Sequence, residues 1–318
     1  MTTRNALHRI ADALYDSEFE RSLRRAARGD NPAFLFGWNR GLGDVAFALV
    51  PFFLRIREAF PQARIAAITR PDLAEMFELA GADEIHVVAG LARGQPLDVE
   101  AEAQRLALDL SRYTGVFGNP DVRRWRRHAS KQITLRLQWQ HRFDFLAERF
   151  PEIEADVPWV GIHVNSETRR FYHYNKDWPI ERWAQLFARV RSEVPAHFVL
   201  FGSLPRADSL SDEGVLDLRG QLTLLEVLAI LRTRCRALVA PDSGILSIAY
   251  LLDAQFDFDV VSLWADPRQG ILKHKLPSPN AHLRHVPIVA RYENVDNITV
   301  EEVALPLLRC LVQPAPSA

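Results

Sequence analysis

The chain has 318 residues, a formal net charge of −1, 48% hydrophobic and 25% charged residues. That composition excludes a disordered or fibrous protein, gives no bias toward polyanions, and leaves room for two domains with buried cores. Two cysteines, Cys235 and Cys310, cannot build a metal cluster by themselves and point to a reducing compartment.

Met1 to Ile10 carries Arg4, His8 and Arg9 with no apolar run, and no window reaches the roughly 18 apolar residues of a spanning helix. A cytoplasmic protein is expected. Asn5 to Arg28 has Leu7, Ile10, Leu14 and Phe19 near helical spacing, which predicts an amphipathic helix packed on the body, with contact to the inner face of a membrane as the alternative. Short apolar runs then alternate with helical periodicity, the mark of βα units on a parallel sheet. Ala33 to Trp38, Arg64 to Thr69, Glu84 to Val88 and Tyr113 to Gly118 are predicted strands, with helices at Val45 to Ala59 and Asp72 to Leu79. Val122 to Arg149 reads as one long helical stretch containing Arg123, Arg124, Arg126, Arg127, Lys131, Trp125 and Trp139. It is either a solvated basic face or a surface for a phosphorylated or membrane-held acceptor.

Phe150-Pro151 and Asp156-Val157-Pro158 break the pattern, which predicts domains at 1–155 and 156–318. The alternation restarts with strands at Trp159 to Val164, His197 to Gly202, Val215 to Leu218, Ala237 to Ala240 and Val260 to Trp264. Helices are predicted at Ile180 to Val194, Leu224 to Leu231, Gly244 to Leu252 and Val300 to Leu311. Two α/β halves of this kind bind ligands at the carboxyl ends of their strands.

Three loops at such ends carry chemistry. Gly41-Leu42-Gly43-Asp44 follows the first strand, and its glycines let helix amides point outward. Asp44 there is either a helix cap or a carboxylate that takes the proton of an attacking hydroxyl. Gly41, Gly43 and Ala46 also satisfy G-x-G-x-x-A, but Thr69-Arg70-Pro71 stands where a ribose-binding acid belongs, which argues against NAD and leaves NADP open through Arg70. Lys176-Asp177-Trp178-Pro179 places a cation at a helix start, where it either balances a diphosphate or is an ordinary surface lysine. Asp242-Ser243-Gly244-Ile245 is either a common turn or a second cradle of amides. His163, His173 and His197 show no ligand spacing, so no metal is expected.

In order and spacing, Gly41-Leu42-Gly43-Asp44, Phe60-Pro61-Gln62-Ala63-Arg64-Ile65, Lys176-Asp177-Trp178-Pro179, and Asp217-Leu218-Arg219-Gly220-Gln221-Leu222 followed by Asp242-Ser243-Gly244 resemble glycosyltransferase family 9, the heptosyltransferase-like enzymes. The resemblance runs from about Pro32 to Leu311. It implies a GT-B fold of two Rossmann-like domains facing across a cleft, with an acceptor-side N-terminal domain and a nucleotide-sugar-binding C-terminal domain. It further implies inverting, metal-independent transfer of a heptose-like sugar from a nucleotide diphosphate donor such as ADP-heptose, with no resident cofactor. The acceptor is then a saccharide or glycolipid of cell-envelope assembly, and nucleic acid is not a partner.

On this resemblance Asp44 is the general base and Lys176 supports the leaving diphosphate. Gly41, Gly43, Asn165, Ser166, Gly202, Asp242, Ser243, Gly244 and Ile245 hold the donor, and Arg123, Arg124 and Arg127 meet the acceptor. The chain departs from the family where Gly244 is followed by Ile245-Leu246-Ser247 and no histidine. An altered nucleotide-sugar-binding protein is therefore a second expectation, and an NADP-dependent oxidoreductase a third.

Overall fold

The computed structural model describes residues 18–118, 120, 134–154, 156–166, 175–202, 210 and 212–312. The chain forms two compact units, Met1–Gln138 and Trp139–Ala318.

In the first unit α1 (Glu18–Ala26) precedes β1 (Ala33–Trp38), and β2 (Arg64–Thr69), β3 (Glu84–Val87) and β4 (Gly115–Gly118) complete a sheet in the order β3-β2-β1-β4. Every pairing in it is parallel. β1 is buried along its whole length, which is why its sequence reads as an unbroken apolar run rather than an alternation. The helix after β1, α2, runs as Leu42–Asp44, a π-helical turn Val45–Leu49, and Val50–Ala59. Its Phe52 and Phe53 reach the core, with Phe52 4.6 Å from Phe19 of α1 and Phe53 5.0 Å from Phe36 of β1. α3 (Ala74–Leu79) and α4 (Val99–Arg105) cover the remaining strands; α4 is capped by Asp98, whose carboxylate accepts from two backbone N–H groups at its start.

The second unit holds six parallel strands: β5 (Trp159–His163), β6 (His197–Phe201), β7 (Val215–Asp217), β8 (Cys235–Pro241), β9 (Phe258–Trp264) and β10 (Leu283–Val289). Their order, β10-β9-β8-β5-β6-β7, is the Rossmann order read from the far edge, with the reversal of direction between β5 and β8. The helices are α5 (Ile180–Arg191), α6 (Leu224–Thr233), α7 (Gly244–Tyr250), α8 (Gly270–His274) and α9 (Val300–Val312). α5 and α9 pack together on one face, where Phe187 stacks on Phe198 with centroids 4.3 Å apart and Trp178 meets Trp183 edge to face at 5.0 Å. α6 opens with a capping box between Thr223 and Glu226.

Two sequence expectations are corrected. The units divide at Gln138/Trp139 and not at 155/156. The segment before Phe150 is a 3₁₀ stretch, His141–Arg149, tied to α6 of the second unit by Asp144–Arg232 and Arg149–Glu226 ion pairs, so contacts outweigh the Phe150-Pro151 break in setting the border. Nor does a single helix run from 122 to 149: residues 134–140 are non-helical, and residues 121–133, with Arg123, Arg124 and Arg127, lie outside the described residues. Of the amino-terminal helix, the part before Glu18 lies outside them too. β10 went unread because it is an edge strand with alternating exposure and Pro287 inside it.

Candidate functional site

In the first unit the site begins where β1 ends. Gly41 takes the N-cap position of α2 with extended backbone, and Asp44 follows as the third residue of the helix, exposed. The cap reading of Asp44 is thereby corrected: no side chain caps this end, because the cap position belongs to a residue that has none. The Asp44 carboxylate instead folds back over Gly41, where a Cβ would stand 2.8 Å from Oδ2 and 3.5 Å from Arg93 Nη2. Glycine at 41 leaves the space that the carboxylate fills. The π-helical turn begins at Val45, immediately after Asp44; such turns recur at functional sites because they re-aim neighbouring side chains.

In the second unit the sequence-predicted residues converge on the ends of β5, β6 and β8. Lys176 Nζ forms an ion pair with Asp242 Oδ2, linking the loop after β5 to the loop after β8 across the reversal of strand order, the place where open parallel sheets bind ligands. Both partners are largely buried, at 15% and 9% side-chain exposure. Burial pushes the Asp242 carboxyl up and repulsion from Asp266 adds to this, while Lys176 opposes both; the net direction is upward. Ser243, not Asp242, caps α7 through Leu246 N–H at 3.2 Å, which frees Asp242 for the lysine. Gly244 and Ile245 open that helix.

Ser166 is fixed by Asp177, whose Oδ1 accepts from its N–H at 2.6 Å and from its hydroxyl at 3.1 Å. Trp178 Nε1 donates to the Ile298 carbonyl at 2.9 Å, anchoring the lysine-bearing loop to the segment before α9. Asn165 is 7% exposed and its Oδ1 has no hydrogen-bond partner among the described residues; a Cβ on Gly202 would approach that oxygen to 2.9 Å. A buried acceptor without a donor at a strand end is a place for a ligand hydroxyl or N–H. His163, two residues earlier at the end of β5, is buried, and burial pulls its pKa down to about 4, so it is neutral.

Residues that sequence reasoning missed complete the floor. Arg219, side chain 1% exposed, forks onto Asp217 with Nε–Oδ1 at 2.9 Å and Nη2–Oδ2 at 2.6 Å. For Asp217 burial works upward, but the Arg219 hydrogen bonds and charge outweigh it and hold the carboxyl low. Gly270, in left-handed backbone at φ 46°, lies against Asp242, whose Oδ1 would stand 2.7 Å from a Cβ there. Arg219 stood in the sequence only as part of the Asp217-to-Leu222 motif, and Gly270 carried no signal.

Asp44 thus belongs to the first unit, and Lys176, Asn165, Ser166, Gly202 and Asp242 to Ile245 to the second. Among the described residues no three His, Cys, Asp or Glu side chains are placed to share a metal ion.

The family model of glycosyltransferase family 9 (heptosyltransferase) matches residues 105–273, more than half of the chain. No curated protein matches in sequence. Among solved structures, the family 9 glycosyl transferase from Veillonella parvula is similar at 16% identity and TM-score 0.58, covering 88% of this chain and 98% of that one. The ADP-heptose lps heptosyltransferase II of E. coli gives 14% identity, TM-score 0.59 and coverages of 88% and 98%. E. coli heptosyltransferase WaaC with ADP gives 14%, 0.57, 87% and 99%. At these identities the likeness concerns the fold, two Rossmann-like units of the GT-B kind.

Proposed function

The chain belongs to glycosyltransferase family 9 and is a glycosyltransferase, and on that premise we propose that it transfers a heptose-like sugar, with inversion and without a metal, from a nucleoside diphosphate donor to a hydroxyl of a saccharide or glycolipid acceptor in lipopolysaccharide assembly. The donor diphosphate is held by Lys176 and the Asp242–Ile245 loop of the second unit. The observation that carries this reading is the Lys176–Asp242 pair at the reversal of strand order.

The chemistry follows from what each group can hold. Lys176 exchanges Asp242 for the donor diphosphate, so its charge is ready, desolvated and already near the leaving group. The N–H groups of Gly244 and Ile245 add to it. Asn165 Oδ1 accepts from a donor hydroxyl. As the acceptor oxygen attacks the anomeric carbon and the bond to the diphosphate breaks, the acceptor proton passes to Asp44. Arg123, Arg124 and Arg127 offer the acceptor positive charge. The reading is supported by family membership and by ADP and ADP-heptose in the names of similar heptosyltransferase structures.

The test is release of ADP from ADP-heptose, and of the matching diphosphate from a panel of other nucleotide sugars, with a lipopolysaccharide-core acceptor and EDTA present. Asp44→Asn is expected to lower kcat by about a hundredfold or more with donor affinity unchanged. Full turnover in that variant would remove Asp44 as the base, and loss of the wild-type rate with EDTA would remove metal independence. A second reading, donor binding without transfer, is favoured by the buried Leu246 and Ser247 on the turn where the family carries a histidine; tight donor binding with no diphosphate release from any nucleotide sugar supports it.

A further inference from the structure

Arg70 stands at the carboxyl end of β2, where a dinucleotide-binding protein would use a cation for a ribose phosphate, but its side chain is 5% exposed and already committed. Nη1 donates to Asn39 Oδ1 and to the Arg40 carbonyl, both at 2.9 Å, and Nε donates to Asp72 Oδ1 at 2.6 Å. Asn39, 1% exposed, carries the chain of bonds onward: its Nδ2 donates to the Ala92 and Gln95 carbonyls at 2.8 and 2.7 Å. Gly94 N–H returns to the Asn39 carbonyl at 3.2 Å. Arg40 and Asn39 are the two residues between β1 and Gly41, so the start of the Asp44 loop is gripped by one guanidinium on one side and by the 92–95 loop on the other.

We infer that Arg70, acting through Asn39 and the Arg40 carbonyl, is the positioning residue that fixes the Gly41–Asp44 loop and hence the Asp44 carboxylate. The inference rests on Asp44 being the base of the proposed reaction. A planar guanidinium can hold two acceptors and a carboxylate in one fixed geometry, whereas an ammonium on a flexible stem serves them as a point charge. A loop freed by even about 1 Å loses up to a hundredfold in rate, because the proton acceptor no longer sits on the line of attack. The donor groups of the second unit, Lys176, Asn165 and the Asp242–Ile245 loop, are untouched.

Two variants separate this from a general loss of stability. Arg70→Lys keeps the charge and loses the fork; Asn39→Asp keeps the size and sets a carboxylate oxygen against the Ala92 and Gln95 carbonyls. In the full-length protein, amide exchange at residues 41–45 is expected to rise at least tenfold in both, with helix α3 unchanged. With ADP-heptose and a lipopolysaccharide-core acceptor, kcat is expected to fall about tenfold to a hundredfold while donor KM stays within twofold. In an Asp44→Asn background neither substitution should lower the residual rate further, since a positioning residue has nothing left to position. Wild-type exchange at 41–45 in the folded variants overturns the inference, as does a kcat loss that persists in full on Asp44→Asn. The exchange measurement needs no turnover, so it still judges the clamp if Asp44→Asn proves active and the base assignment is the part that fails.

Discussion

At the residue scale the Lys176–Asp242 pair explains how a buried cation is kept available. An isolated ammonium at 15% exposure would be costly, and so would the Asp242 carboxylate, whose pKa burial already raises. Each makes the other tolerable, and in the proposed reaction a diphosphate takes the carboxylate's place. Lys176→Met removes the cation and leaves the acid buried alone. It is expected to lower kcat/KM about a hundredfold and to cost about 3 kcal/mol of stability at neutral pH, read from steady-state kinetics and urea denaturation; at pH 4, where Asp242 is more readily protonated, the stability cost should shrink. An equal cost at both pH values would show that the pair is not a buried ionic one.

At the scale of elements, the start of α2 depends on one missing methyl group. Gly41 has φ −66°, which any residue adopts, so the glycine serves space and not backbone freedom. Gly41→Ala would place a Cβ 2.8 Å from Asp44 Oδ2, and the carboxylate must swing away. The expectation is a kcat about tenfold lower with the melting temperature within two or three degrees of wild type, measured by scanning calorimetry beside the transfer assay. These elements are legible in the sequence where burial is two-sided. β1 appears as a continuous apolar run because it is buried along its whole length, and the turns at Gly41 and at Asp242-Ser243-Gly244 are visible because a glycine marks each helix entrance. β10 is not legible, because its Arg284, His285 and Pro287 follow an exposed edge and not a core. At Asp44 only the cap alternative is excluded, since the cap position falls to Gly41 three residues earlier.

For the whole molecule, His163 links folding to acidity. Its pKa is about 4 when buried and 6.5 in the unfolded chain. A lowered histidine pKa means that the unfolded state binds the proton first, so this contribution is complete above pH 6.5 and is lost as pH falls toward 4. At most about 3 kcal/mol is involved. His285, also pulled down to about 4 by burial, works in the same direction. Denaturation midpoints measured from pH 7 to 4 should therefore decline, and His163→Leu should flatten that decline; an unaltered slope would mean that the ring titrates normally.

The sequence by itself determined the class of the fold, two parallel α/β units, together with the loops that carry Asp44, Lys176 and Asp242-Ser243-Gly244, since apolar periodicity and turn chemistry act over a few residues. Tertiary structure alone decided what those loops do to one another within a unit. Lys176 and Asp242 are 66 residues apart in the chain, Arg70 and Asn39 are separated by 31, and the Asn165 oxygen, buried without a donor among the described residues, lies against Gly202, 37 residues further on. The border at Gln138/Trp139 has the same origin. Ion pairs, buried acceptors and unit boundaries are set by strand order and side-chain enclosure, and these arise from contacts between segments that no local pattern encodes.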